Sequence, residues 1–122
     1  MRNKEFIPYE QALALQQLGF NEECFGTWFE LEGKYSVIIR NNLYGNDLQT
    51  PSPLYQQAFR WFREKHNLIG LVESGYENGK NIFTYVIWNK FIIDNVNDDY
   101  YSTYEEAELD CLKKLIEIVK NK

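Results

Sequence analysis

Leu68-Ile69-Gly70-Leu71-Val72-Glu73-Ser74-Gly75-Tyr76-Glu77-Asn78-Gly79-Lys80-Asn81-Ile82-Phe83-Thr84-Tyr85-Val86-Ile87-Trp88 is the stretch that decides the fold. Two β-rich runs, Leu68 to Glu77 and Lys80 to Trp88, flank Asn78-Gly79, the residue pair that most readily takes positive φ at both centres of a type I′ turn. A two-residue turn here sets Glu77 opposite Lys80, so opposite charges close the hairpin. The same register pairs Val72 with Tyr85 and Leu71 with Val86. Both faces of Ile82 to Trp88 are largely apolar, which predicts a central strand. Phe91 to Val96 can add a short further strand or an extension.

Helices bracket this hairpin. Before it, Ser52 can cap and Pro53 suits a first helical position, and Leu54, Tyr55, Ala58, Phe59, Trp61 and Phe62 follow up to an end near His66-Asn67. After it, Thr103-Tyr104-Glu105-Glu106 is a capping box, with Thr103 accepting from the Glu106 amide and Glu106 reaching back. Tyr104, Ala107, Cys111, Leu112, Leu115, Ile116 and Val119 then form one apolar face. Acids early and lysines late suit the helix dipole.

The first half repeats the scheme. Pro8 to Leu18 reads as an amphipathic helix, with Gly19 in the left-handed position past its end. From Phe25 to Arg40 the period is two: Thr27, Phe29 and Leu31 alternate with Trp28, Glu30 and Glu32, Gly33-Lys34 offers a turn, and Tyr35 to Arg40 returns. Asn41 to Pro53 crowds Gly45, Asn46, Asp47, Pro51, Ser52 and Pro53 and reads as a connection. The order α-ββ-α-ββ-α predicts an α+β fold, with an antiparallel sheet from the two hairpins packed against helices. Residues 1–122 are read as a single domain.

Composition narrows the function classes. The chain has 122 residues with 44% hydrophobic and 25% charged, an ordinary globular balance. A net charge of -5 disfavours duplex DNA and anionic membranes as partners. Aromatics reach 16%, more than a small domain easily hides. The longest strongly apolar run, Ile82 to Trp88, is too short for a bilayer. The opening residues carry no apolar stretch of a secretory signal, and two isolated cysteines suit a reducing compartment. A soluble cytoplasmic protein is expected.

Three blocks carry a resemblance: Ile7-Pro8-Tyr9-Glu10-Gln11-Ala12-Leu13-Ala14-Leu15 leading to Leu18-Gly19-Phe20; Pro53 through Lys65; and Thr103 through Leu109 with Cys111 through Val119. In that order they resemble a family of small proteins encoded by phages and prophages of gut bacteria. The family carries no assigned activity, so no functional residue transfers. The resemblance implies only a setting, a mobile-element protein in a bacterial cytoplasm.

Candidate chemistry is sparse. His66 is the single histidine and could act as a base, although a helix-terminal role, interacting with the last carbonyls, is the favoured reading. Cys24 could be a nucleophile but lacks a visible base, and Cys111 falls on the core face of the last helix. Glu30 and Glu32 share one strand face, about 7 Å apart by strand geometry, within the range of paired catalytic carboxylates, although a solvated strand face is the favoured reading. Asn95, Asn97, Asp99 and Glu106 fall at calcium-loop spacing, but Tyr100 stands where the sharp turn requires glycine. Asp94 to Asp110 holds seven acids and no base, which admits a charge mimic of a nucleic-acid backbone as well as a solvated helix start. There is no Gly-x-Gly-x-x-Gly and no P-loop, so no cofactor is expected, and no metal.

The second helix has the chain's basic side. Tyr55, Phe59, Arg60 and Arg63 are types enriched at interfaces, and their wide arc leaves Tyr55 or Phe59 at the margin of the core stripe. These four are the candidate partner-binding residues. The reading that follows is a non-catalytic interaction module, binding a protein or a second copy of itself. The alternatives are a small enzyme of unknown reaction or an acidic mimic inhibiting a basic host protein.

Overall fold

The computed structural model describes residues 5–42, 49–89, 92–97 and 99–122. Among them the elements run α1 (Tyr9–Gln17), β1 (Cys24–Leu31), β2 (Lys34–Asn42), β3 (Gln49–Ser52), α2 (Tyr55–His66), β4 (Leu68–Glu77), β5 (Lys80–Asn89), β6 (Ile92–Val96) and α3 (Tyr104–Lys120). The fold is α+β with antiparallel pairing, in the expected order α-ββ-α-ββ-α, each hairpin gaining one further strand. The hairpins do not share a sheet: one builds β2-β1-β3 and the other β4-β5-β6. Two compact units follow, Met1–Ala58 and Phe59–Lys122, with the boundary inside α2.

In the first unit, Phe6 and Ile7 are buried and tied down by backbone. The Ile7 amide donates to the Pro53 carbonyl at 3.0 Å, and the Ile7 carbonyl accepts from Trp28 Nε1 at 2.9 Å. Ser52 Oγ also donates to that carbonyl, at 3.4 Å, so Ser52 ends β3 and does not cap α2. Leu54 is drawn into an isolated bridge with Phe6, and the helix therefore starts two residues after Pro53. β3 corrects the reading of Asn41 to Pro53 as connection alone: Gln49–Ser52 pairs with Gly26–Phe29. Residues 43–48 of that stretch lie outside the described residues.

The first hairpin turns one residue earlier than expected. Leu31 pairs with Lys34, so Glu32 and Gly33 are the turn centres, with φ of 53° and 79°. A two-residue turn of this hand needs positive φ at both positions, and glycine takes the second as it does after asparagine. Glu32 thus leaves the strand, and the Glu30–Glu32 pair on one strand face does not form. On β1, Thr27 is fully buried and its Oγ1 has no hydrogen-bond partner among the described residues.

The second unit is built on the long hairpin. Asn78 and Gly79 have φ of 53° and 79°, and Glu77–Lys80, Val72–Tyr85 and Leu71–Val86 pair as read from the sequence. β5 is central, with β6 on its far side; Phe91, the expected start of that strand, lies outside the described residues. α3 packs on the face bearing Gly70. A Cβ there would lie 2.8 Å from Cys111 Sγ and 3.1 Å from Leu115 Cδ1, so glycine permits the close approach. Leu68, Ile87, Leu112 and Leu115 are fully buried beside it. Thr103 caps α3, accepting from the Glu106 amide at 3.2 Å and donating to Glu106 Oε1 at 2.8 Å. Tyr104, expected on the core face, is 46% exposed and meets Phe83 edge-on at 6.1 Å.

Candidate functional site

Pairing alternates the two faces of the β4–β5 hairpin. Gly70, Val72 and Ser74, with Ile87, Tyr85 and Phe83 opposite them, share the face that α3 covers. The other face carries Leu71, Glu73, Gly75 and Glu77 from β4, and Val86, Thr84, Ile82 and Lys80 from β5. Toward the turn this face is open. Glu73, Gly75 and Glu77 are exposed, and Gly75 leaves a gap between the two carboxylates over Ile82.

A groove of about 350 Å³ occupies that gap, lined by Glu73, Gly75, Tyr76, Glu77, Ile82, Thr84 and Tyr100 among others. Tyr100 comes from the segment before α3. The neighbouring Tyr101 exchanges two backbone hydrogen bonds with Phe83, at 2.9 and 2.7 Å, and so is held beside β5. Thr84 Oγ1 fixes the same segment by donating to the Asp99 carbonyl at 2.8 Å. Tyr76 and Tyr100 are 73% and 64% exposed, large apolar surfaces left in water. Two carboxylates, an aliphatic floor and an aromatic wall make a surface suited to a cationic, partly apolar partner. The signal in the sequence was the period-two Glu73-x-Gly75-x-Glu77, since a glycine inside a strand often marks a close approach.

Of the four candidates on α2, Tyr55 is a correction. It is only 7% exposed, in line with the fully buried Ala58 and Phe62 that follow at helical spacing. Losing Leu54 to the bridge with Phe6 starts the helical stripe at Tyr55 itself. Phe59 is half-buried, and Arg60 and Arg63 are exposed, Arg60 Nε lying 3.7 Å from Glu64 Oε1.

The remaining chemistry is local. His66 ends α2 with Trp61 edge-on at 5.0 Å, and burial and the charge of Lys122 hold its imidazole below the ordinary value. Cys24 opens β1, where burial and then Glu22 and Glu23 push its thiol up to about 12. Burial and then Glu108 push Cys111 up to about 12 as well. Neither has the depressed pKa of a nucleophilic thiol. In the calcium-spaced segment, Asn97 donates to Thr84 Oγ1, the Asp99 carbonyl and Tyr101 Oη, and Glu106 serves the cap. Tyr101 donates to Asp110 Oδ2 at 2.6 Å, with burial and that carboxylate pushing its phenol up to about 12. Glu108 is raised to about 7 by burial and by Glu105.

No protein-family model, curated protein or solved structure matches the chain. No helix among the described residues is long and apolar enough to cross a membrane.

Proposed function

We propose that the protein is a non-catalytic interaction module that engages a protein partner through the open face of the β4–β5 hairpin. The observation that carries this reading is the acidic groove of Glu73 and Glu77, which has Tyr76 and Tyr100 among its lining residues and leaves them 73% and 64% exposed. Exposed aromatic surface of this kind is characteristic of binding sites, and tyrosine supplies contact area with few rotors to immobilise. The resemblance to phage and prophage proteins supplies a setting, action on a partner in the bacterial cytoplasm.

The acidic segment supports this reading over a charge mimic. Asp110 is engaged by Tyr101, Glu106 by Ser102 and Thr103, and burial and then Glu105 push the Glu108 carboxyl up to about 7. A row of free, uniformly charged carboxylates is not what these described side chains make. The enzyme reading lacks a base paired with an activated nucleophile among the described residues.

The test is affinity capture from a host lysate, with the native chain and a Tyr76→Ser/Tyr100→Ser variant as parallel baits. The reading expects a stoichiometric partner held by the native chain and lost by the variant, with the melting temperature of the variant within a few degrees. Equal capture by both baits, or no stoichiometric partner for either, contradicts it.

A further inference from the structure

We propose that the partner binds as an extended basic strand added to the free edge of β4, with two lysine or arginine residues four positions apart and an apolar residue midway between them. This rests on the interaction reading above and names its occupant.

In a two-residue hairpin the residues flanking the turn form a hydrogen-bonded pair, so Glu77 exchanges bonds with Lys80. Alternation then points the amides and carbonyls of Gly75, Glu73 and Leu71 toward β5. Those of Tyr76, Ser74 and Val72 point away from it. Among the described residues β4 pairs on one side only, and Glu73 through Glu77 are exposed. The outward groups are therefore a template for one more strand.

The side chains choose which strand. Toward an added antiparallel strand, Val72, Ser74 and Tyr76 would make the hydrogen-bonded pairs. Glu73, Gly75 and Glu77 would fall in the non-hydrogen-bonded pairs, where facing side chains come closest. A cation opposite Glu73 and another opposite Glu77, four residues apart in the partner, satisfy both carboxylates. The residue between them lies over Gly75. A large apolar side chain there fills the gap above Ile82, as aromatic residues do across from strand glycines, and meets Tyr100. A second copy of this chain is disfavoured at this site. Two β4 strands paired about Gly75 would set Glu73 against Glu77 twice, and like charges directly opposite are destabilising.

The experiment measures binding of a capped seven-residue peptide, Thr-Lys-Thr-Phe-Thr-Lys-Thr, to the full chain by calorimetry at low and at physiological salt. Saturable one-to-one binding is expected, weakened at least tenfold by Glu73→Lys/Glu77→Lys. Ser74→Pro, which removes an outward amide without touching the bonds to β5, is expected to weaken it as much. A peptide N-methylated on the amides facing β4 checks the same point without altering the protein, and it is also expected to lose at least tenfold. Weakening by the charge reversal alone, with the proline variant and the methylated peptide unaffected, overturns strand addition. Absence of peptide binding while the tyrosine variant still loses its captured partner overturns the inference and leaves the interaction reading standing. Sedimentation showing dimers of the native chain that Ser74→Pro abolishes overturns the choice of partner.

Discussion

Glu77 stands directly opposite Lys80 across the Asn78–Gly79 turn, and this pairing sets the hydrogen-bonding phase of all ten residues of β4. Which amides face the open edge depends on that phase. A one-residue slip would exchange the inward and outward amides and carry Glu73 and Glu77 to the face that α3 covers. Asn78 and Gly79 both occupy the left-handed region, which holds the register. Gly79→Ala is expected to cost about 1–2 kcal/mol, because a Cβ is strained at that φ. Urea denaturation measures it; an unchanged midpoint contradicts this origin of the register.

The approach of α3 to β4 at Gly70 is the tightest contact of the second unit that glycine permits. Gly70→Ala puts a methyl 2.8 Å from Cys111 Sγ and is expected to cost about 1–3 kcal/mol by overpacking. Combining it with Cys111→Ala should cost less than the sum of the two single changes, since the sulfur is the nearest obstacle. Strict additivity in a double-mutant cycle would place the strain elsewhere.

Thr27 Oγ1 is buried without a hydrogen-bond partner among the described residues. Thr27→Val keeps the shape and removes the polar atom, so a stabilisation of about 1 kcal/mol is expected. A loss of stability on thermal denaturation would mean that the hydroxyl is satisfied in solution.

Glu108 links stability to pH. Its carboxyl rises from 4.5 to about 7 because burial and Glu105 disfavour the charged form. The folded state then binds the proton more tightly than the unfolded chain, and this contribution to stability is complete below 4.5 and lost as pH rises through 7. Glu108→Gln should flatten that loss and raise the melting temperature at pH 8. The gain is about 1 kcal/mol, well below the full shift, because the half-buried group is screened by water. Parallel stability curves for the two proteins between pH 4.5 and 8 would contradict it.

Both thiols are buried and pushed up to about 12. Neither Cys24 nor Cys111 should react with a thiol reagent at pH 8 in the native protein, and both should react in denaturant. Fast labelling of one site in the native state would return a nucleophilic role to consideration.

What the sequence showed, it showed through local chemistry. Asn78-Gly79 specifies its turn by the φ values it tolerates, and Thr103 with Glu106 specifies the start of α3 by two reciprocal bonds. β3 carries no such signal. Gln49–Ser52 contains a proline and no alternation, and it is a strand because β1, with partners twenty or more residues earlier, offers an edge to pair with. Tyr55 changed surroundings for the same reason, since a non-local bridge from Phe6 takes Leu54 out of the helix. The groove was half visible. Glu73, Gly75 and Glu77 share a face by simple alternation, whereas Tyr100 reaches them only because Tyr101 pairs with Phe83.

Amide hydrogen exchange followed residue by residue by NMR tests the open edge of β4 most directly. In the free protein, Val72, Ser74 and Tyr76 should exchange rapidly while Leu71, Glu73 and Gly75 are protected, and the seven-residue lysine peptide should slow the first three selectively. Uniform protection along β4 in the free protein, or a peptide that leaves Val72, Ser74 and Tyr76 unchanged, would contradict the account.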